Sequence, residues 1–240
     1  MELRRYRLEH RQFLTDELPP LLSRVVQPGS IADLGCGDGA VLAALAKQQL
    51  LHSAFAVDIS PERVAAAKQT VPDAIAVVAS ASATGLPDAS VDGIVCSQVI
   101  EHMPDHDKVA TEIARILQPG GWWYVSTVVR RPRAWWIYRV DGVWRLDPTH
   151  VREYGSLQEV LAVLAHPRLR VEQTRIESLH FPLTDLALRA LARTRILSRD
   201  QVASAYREHP RLKRLRVLAI PPPGFSVVEI AGVKTAEEHS

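Results

Sequence analysis

The chain of 240 residues has only two cysteines, Cys36 and Cys96. Two thiols cannot build a disulfide framework, and they cannot supply the ligands of an iron–sulfur cluster. Long apolar runs are also missing. No stretch reaches the roughly 18 residues that a membrane-spanning helix needs. A strong charge of either sign is absent: the formal net charge is +2, so charge balance alone names no partner. The first residues, Met1-Glu2-Leu3-Arg4-Arg5-Tyr6-Arg7, are charged and have no apolar centre, unlike a secretory leader. The expectation is a cytoplasmic protein. Internal repeats and low-complexity linkers are lacking as well.

Hydrophobic residues are not lacking. They make up 47% of the chain, enough for a buried core, and the length fits one domain with insertions. The most informative stretch is Ile31-Ala32-Asp33-Leu34-Gly35-Cys36-Gly37-Asp38-Gly39-Ala40-Val41-Leu42. It reads as a buried strand, a tight glycine turn and the start of a helix. The alternating glycines let the backbone turn sharply and approach a ligand closely. A strand–turn–helix of this kind cradles nucleotides in open α/β folds. The spacing is D-x-G-x-G-x-G rather than the G-x-G-x-x-G of dinucleotide enzymes.

Apolar periodicity predicts a helix over residues 5–26 and another over 39–50. A strand over 53–58 ends in Asp58. Ser60 then fits an N-cap and Pro61 the first turn of a helix running to residue 70. Strands are expected over 74–79, 91–96 and 122–129. A helix over 106–117 precedes the last of these, stopped by Gln118-Pro119-Gly120-Gly121. A further helix over 156–165, a strand over 170–178 and a last strand over 225–231 complete the pattern. The β/α alternation argues for a doubly wound parallel sheet.

On these motifs the sequence resembles the class I S-adenosylmethionine (SAM)-dependent methyltransferases. The resemblance covers about residues 28–178 and the last strand. It implies a Rossmann-like α/β fold with a seven-stranded, mostly parallel sheet whose last strand is antiparallel, and SAM as cofactor with S-adenosylhomocysteine as product. It implies a single domain over 1–240: an N-terminal lid helix (1–27), a SAM-binding core (28–128) and acceptor-side insertions (129–155 and 183–218).

The resemblance places Asp33, Gly35, Cys36 and Gly37 around the methionine moiety. Asp58, at the end of the second strand, would accept hydrogen bonds from the ribose hydroxyls, and Ile59 would offer an apolar edge to adenine. The loop Ala79-Ser80-Ala81-Ser82-Ala83-Thr84-Gly85-Leu86-Pro87 matches a family segment whose acid meets the adenine amino group. Ser82 stands in that acid's place, and the Ala83 N–H would serve a ring nitrogen. Ser97 and Gln98 would face the sulfonium. The segment Cys96–Met103 resembles one ending in V-x-E-H, so His102 is a candidate base near the acceptor, with His150 as a second candidate. Some relatives bind a divalent metal through E-x-x-E-H and a distal histidine. Here Gln98 replaces the first acid, which weakens a site for magnesium or manganese, and no metal is expected. The absence of an N/D-P-P-Y/F/W motif or a Pro-Cys pair after the fourth strand argues against adenine-N6, glutamine and cytosine-C5 methylation.

The insertions bear on the acceptor. Arg130, Arg131, Arg133, Arg139, Arg145 and Arg152 are interleaved with Trp135, Trp136, Tyr138 and Trp144. Residues 187–218 hold nine basic residues and two acids. Such a rim suits an anionic, partly apolar small molecule, or peripheral contact with a membrane surface. A nucleic-acid partner ranks lower because no RNA-binding module is appended, and no obligate protein partner is evident. Oxygen is the expected methyl acceptor, ahead of nitrogen and carbon. A catalytically silent SAM-binding scaffold is the reading from a different class.

Overall fold

The computed structural model describes residues 17–236 except 136–137, 141, 148, 185–186, 189–190, 192–193, 195, 197–210, 212–214, 216–217 and 222. In chain order the elements are α1 (Leu22–Val25), β1 (Gly29–Leu34), α2 (Ala40–Lys47), β2 (Leu51–Asp58), α3 (Pro61–Thr70), β3 (Ile75–Val78), β4 (Val91–Ser97) and α4 (Val109–Ile116). Then come β5 (Leu117–Arg130), β6 (Tyr138–Val140), β7 (Val143–Arg145), α5 (Leu157–Val163), β8 (Leu169–Ser178), β9 (Phe181–Pro182), β10 (Ala219–Ile220) and β11 (Phe225–Lys234).

Seven strands form one sheet in the order β3-β2-β1-β4-β5-β11-β8. The first five pair in parallel, while β11 is antiparallel to both β5 and β8. The order reverses between β1 and β4, so a crevice opens at the carboxyl ends of those strands. Period-2 alternation sends β5 side chains to opposite faces. Trp123 and Val125 join one apolar layer with Ile113 and Val160, whereas Trp122 and Tyr124 join the other with Leu42 and Leu45. Cores on both faces explain why β1, β4 and β5 are apolar almost without a break.

Buried Glu229 on β11 ties the chain's beginning to this sheet. Its carboxylate accepts from the Tyr124 hydroxyl at 2.8 Å, the Leu21 N–H at 3.2 Å and Arg175 at 2.8 Å. The expected helix over 5–26 is helical, within its described part, only over Leu22–Val25. Pro19 and Pro20 precede it, and proline cannot continue a helix from within. Residues 1–16 lie outside the described residues.

A second difference concerns Gln118-Pro119-Gly120-Gly121. Helix α4 already ends at Ile116, and these residues begin β5. The β4–β5 register shifts between Val91 and Gly93 at this place, a bulge that accommodates proline and glycine within a strand. The 129–155 insertion folds partly as the β6–β7 hairpin. The described ends of the 183–218 insertion are closed by β9 pairing with β10. Most of its body lies outside the described residues. Among the described residues no helix is long and apolar enough to cross a membrane.

A Cβ added at Gly93 would lie 2.2 Å from Trp122 Cζ2, and that indole is buried in the apolar layer. Gly93→Ala should therefore destabilise the protein by about 2–3 kcal/mol. Thermal unfolding should show a melting point lower by about 5–10 °C; an unchanged melting point would contradict this packing.

Candidate active site

The loop after β1 is built by three glycines in the left-handed region: Gly35 at φ 78°, Gly37 at 55° and Gly39 at 82°. Its amides turn inward. The N–H groups of Gly35 and Cys36 donate to Val57 O, that of Gly37 to Asp58 Oδ2, and that of Gly39 to Cys36 O. These groups are engaged by the protein, so the loop is not an anion cradle. A Cβ at Gly35 would stand 2.4 Å from Val99 Cγ2. The missing side chain thus lets the turn after β4 press against the turn after β1. Cys36 is buried in the apolar layer, and burial holds its thiol protonated.

Two buried carboxylates stand at the ends of adjacent strands. Asp58 is well supported: Oδ2 accepts from Gly37 N–H at 3.1 Å and Oδ1 from Ser60 N–H at 2.9 Å. Each oxygen retains a further lone pair. Asp33 differs, because its buried Oδ2 has no hydrogen-bond donor. Burial, reinforced by the charge of Asp58, pushes its pKa up to about 7. An orphaned acceptor of this kind fits a cationic ligand group.

Farther along the same edge, Ile59 is 54% exposed, as an apolar platform requires. The Ala83 N–H donates to Ser80 O at 3.1 Å, closing a turn within its own loop. The Ser82 hydroxyl donates to Asp105 Oδ2 at 2.5 Å. Asp105 gives no motif signal, because 23 residues and a strand separate it from Ser82 in the chain.

At the end of β4 the Ser97 and Ser126 hydroxyls are 2.9 Å apart. Gln98 sits at φ 56°, unusual for a non-glycine residue. Its N–H donates to Ser126 O at 2.9 Å, and its side-chain amide reaches Ser126 Oγ at 3.3 Å. The 3-10 turn Ile100–His102 follows.

Beyond this turn the structure brings Glu101, His102 and His150 together. Their candidate ligand atoms all lie within 4.8 Å of one another, and the two imidazoles meet edge to face at 4.8 Å between centroids. Glu101 is fully buried and accepts from Thr127 Oγ1 at 2.8 Å, while its Oε1 has no donor. Burial raises its pKa against the opposing pull of His150. Thr149 Oγ1 donates to Asp147 Oδ1 at 2.7 Å and lies 3.1 Å from His102 Nδ1. A hydroxyl whose proton is directed to Asp147 must accept from the imidazole, so Nδ1 carries the His102 proton and Nε2 the lone pair. Asp147, Thr149 and Glu153, which lies 3.3 Å from His150 Nδ1, escaped sequence reading. The only available signal was the compact run Asp147-Pro148-Thr149-His150.

Four of the six insertion arginines have internal partners; Arg139 donates to Gly142 O at 3.3 Å within the β6–β7 hairpin. Arg130 pairs with Glu153 at 3.6 Å, Arg145 donates to His150 O, and Arg152 reaches Pro104 O and His106 Nε2. His106 in turn meets the Tyr154 hydroxyl at 2.7 Å. Its pKa is lowered by burial and by Arg152, which keeps the ring neutral as an acceptor for that arginine. Residues 145–154 are thus strapped across the end of β4. Trp136 lies outside the described residues.

Five parallel strands followed by antiparallel β11, with a glycine turn beside two strand-end carboxylates, define a doubly wound α/β protein whose ligand crevice lies at the strand carboxyl ends. A methyltransferase-domain model matches residues 32–125. Over 172 residues the chain is 30% identical to a ubiquinone biosynthesis O-methyltransferase of Paracidovorax citrulli, covering 67% of this chain and 69% of that one. The fold is shared with the YcgJ protein of Bacillus subtilis (TM-score 0.61, 19% identity, 90% of this chain and 97% of that one). It is also shared with the geranyl diphosphate C-methyltransferase of Streptomyces coelicolor (TM-score 0.58, 17% identity, 90% and 76%), solved with Mg2+, geranyl diphosphate and S-adenosylhomocysteine. The chain belongs to the class I SAM-dependent methyltransferases.

Asp33 has a folded-state pKa above its unfolded value of 3.8. From about pH 4 upward the folded protein holds a proton that the unfolded chain has lost. The stability this supplies is full below that value and is lost as pH rises through 7. Asp33→Asn removes the loss. In denaturant unfolding without ligand, the variant should gain on the parent by about 3 kcal/mol between pH 5 and pH 8. Parallel pH profiles would contradict the assignment.

Proposed function

We propose that the protein transfers the methyl group of SAM to an oxygen of a small, partly apolar metabolite, with His102 as general base. The observation that carries this is the Asp147–Thr149–His102 chain, beside the turn where Val99 meets Gly35. In this reading Asp33 Oδ2 takes the ammonium group of the methionine moiety, and the Gly35–Gly37 backbone packs along it. Asp58 accepts from the ribose, Ile59 lies against adenine, and Ser97 and Gln98 line the wall nearest the sulfonium. When bound, SAM supplies an activated methyl group, which passes in line to the acceptor oxygen while sulfur keeps the bonding electrons. The protein's own part is alignment and exclusion of water. His102 Nε2 receives the acceptor's hydroxyl proton, and Thr149 and Asp147 hold the ring in the tautomer that can do so. His150, packed edge-on against His102 and facing Glu101, fixes the ring from the other side.

The acceptor side combines exposed Trp135, Val143, Trp144 and Val151. Arg130, Arg145 and Arg152 are engaged internally, so apolar contact outweighs charge in this rim. The O-methyltransferase name of the Paracidovorax relative supports an oxygen acceptor. The cytoplasm remains the proposed location.

The clustering of Glu101, His102 and His150 favours a second reading. One carboxylate and two imidazoles form a donor set for a borderline divalent ion such as zinc or iron rather than magnesium. His150 Nδ1 faces Glu153 and His102 Nδ1 faces Thr149, the outer contacts that leave the other ring nitrogens for a metal.

Calorimetry should detect S-adenosylhomocysteine binding, and Asp58→Ala should weaken it at least tenfold. His102→Gln should lower turnover by about 100-fold, measured as S-adenosylhomocysteine release over a panel of phenols and hydroxy acids, with ligand affinity within twofold of the parent. No nucleoside binding, or full turnover by the variant, would overturn the reading. Full activity after chelation, with no metal by elemental analysis, would exclude the metal reading.

A further inference from the structure

We propose that Asp105 is the residue that selects adenine, receiving its exocyclic amino group in place of an acid on the β3 loop. The proposal rests on the SAM-binding reading above. Strands β1, β2 and β3 are neighbours in the sheet. A ligand with its cation at Asp33 and its ribose at Asp58 therefore directs its base toward the loop that follows β3. That loop is fastened to the ribose position, since Ala79 N–H donates to Asp58 O at 3.1 Å.

The hydroxyls of the loop and several of its N–H groups are already engaged. The Ala83 N–H goes to Ser80 O and the Ser82 N–H to Ser80 Oγ at 3.2 Å. Thr84 N–H and Oγ1 both go to Glu112 Oε1, at 2.7 and 2.5 Å. Ser82 Oγ gives its only proton to Asp105 Oδ2 at 2.5 Å. The 2.8 Å contact between Ser80 Oγ and Ser82 Oγ must then run from Ser80 to Ser82. A directed chain of hydroxyls, Ser80 to Ser82 to Asp105, thus ends on a carboxylate.

Among the described residues, Asp105 Oδ1 accepts no hydrogen bond, and Oδ2 keeps a further lone pair. The amino group of adenine is a pure donor. A charged, half-buried carboxylate answers it better than a neutral hydroxyl. The acid that the loop itself lacks is delivered from the turn between β4 and α4, and the two serines aim it.

A carboxylate at this position accepts from a 6-amino group and repels a 6-oxo group. The test is calorimetric binding of S-adenosylhomocysteine and of its 6-oxo analogue, S-inosylhomocysteine, to the full chain. The parent should prefer the 6-amino ligand by at least 30-fold. Asp105→Asn, whose amide can also donate, should bring the preference below threefold. Asp105→Glu, which keeps the carboxylate, should retain most of it and controls for folding. A parental preference that survives Asp105→Asn overturns the proposal, as does a parent that binds both ligands equally. A parent that binds neither overturns the SAM-binding reading and this proposal with it.

Discussion

Two carboxylates that repel each other, Asp33 and Asp58, occupy the ends of adjacent buried strands, and the site is arranged around them. Asp58 is made tolerable by two backbone N–H groups. Supplying the first requires the loop after β1 to fold back, which requires left-handed glycines. Asp33 is left with an orphaned oxygen and a pKa near 7. Such a group costs stability in the empty protein and gains most from a bound cation. The strain is held in place by the sheet, whose cores on both faces leave the strand ends little room to relax.

The segment that carries the candidate base is held by a third buried acid. Glu101 receives the Thr127 hydroxyl through its side chain, and its backbone carbonyl accepts from Val151 and Arg152. These contacts bring residues 145–154 across the end of β4, and with them Thr149 and His150. Three of the arginines that look like an acceptor-binding rim in the sequence, Arg130, Arg145 and Arg152, fasten this strap. The same segment thus positions the candidate base, which ties the chemistry to its packing.

How much the sequence conveys depends on how local each cause is. The strands, the glycine turn and the Ser60-Pro61 helix start are local, and the structure has them where periodicity and capping predict. Asp33 and Asp58 are readable because each stands at a strand end beside a distinctive turn. The helix expected over 5–26 is short within its described part, because Pro19 and Pro20 override the apolar spacing there. Gln118–Gly121 reads as a helix stop because a bulge is set by the neighbouring strand. Asp105 and Thr149 are paired with Ser82 and His102, 23 and 47 residues away in the chain, and no spacing rule encodes that. The hydrogen bonds that Ser82 and Ala83 make to Asp105 and Ser80 are not legible in the sequence for the same reason.

In the proposed SAM site, Asp33 is protonated before the ligand arrives and must ionise to receive its ammonium group. Calorimetry of S-adenosylhomocysteine binding at pH 6, in buffers of different ionisation enthalpy, counts the protons exchanged. The parent should release close to one proton per ligand bound, and Asp33→Asn should release none. Binding without proton release by the parent, or equal release by the variant, would show that Asp33 does not ionise to hold the ammonium group.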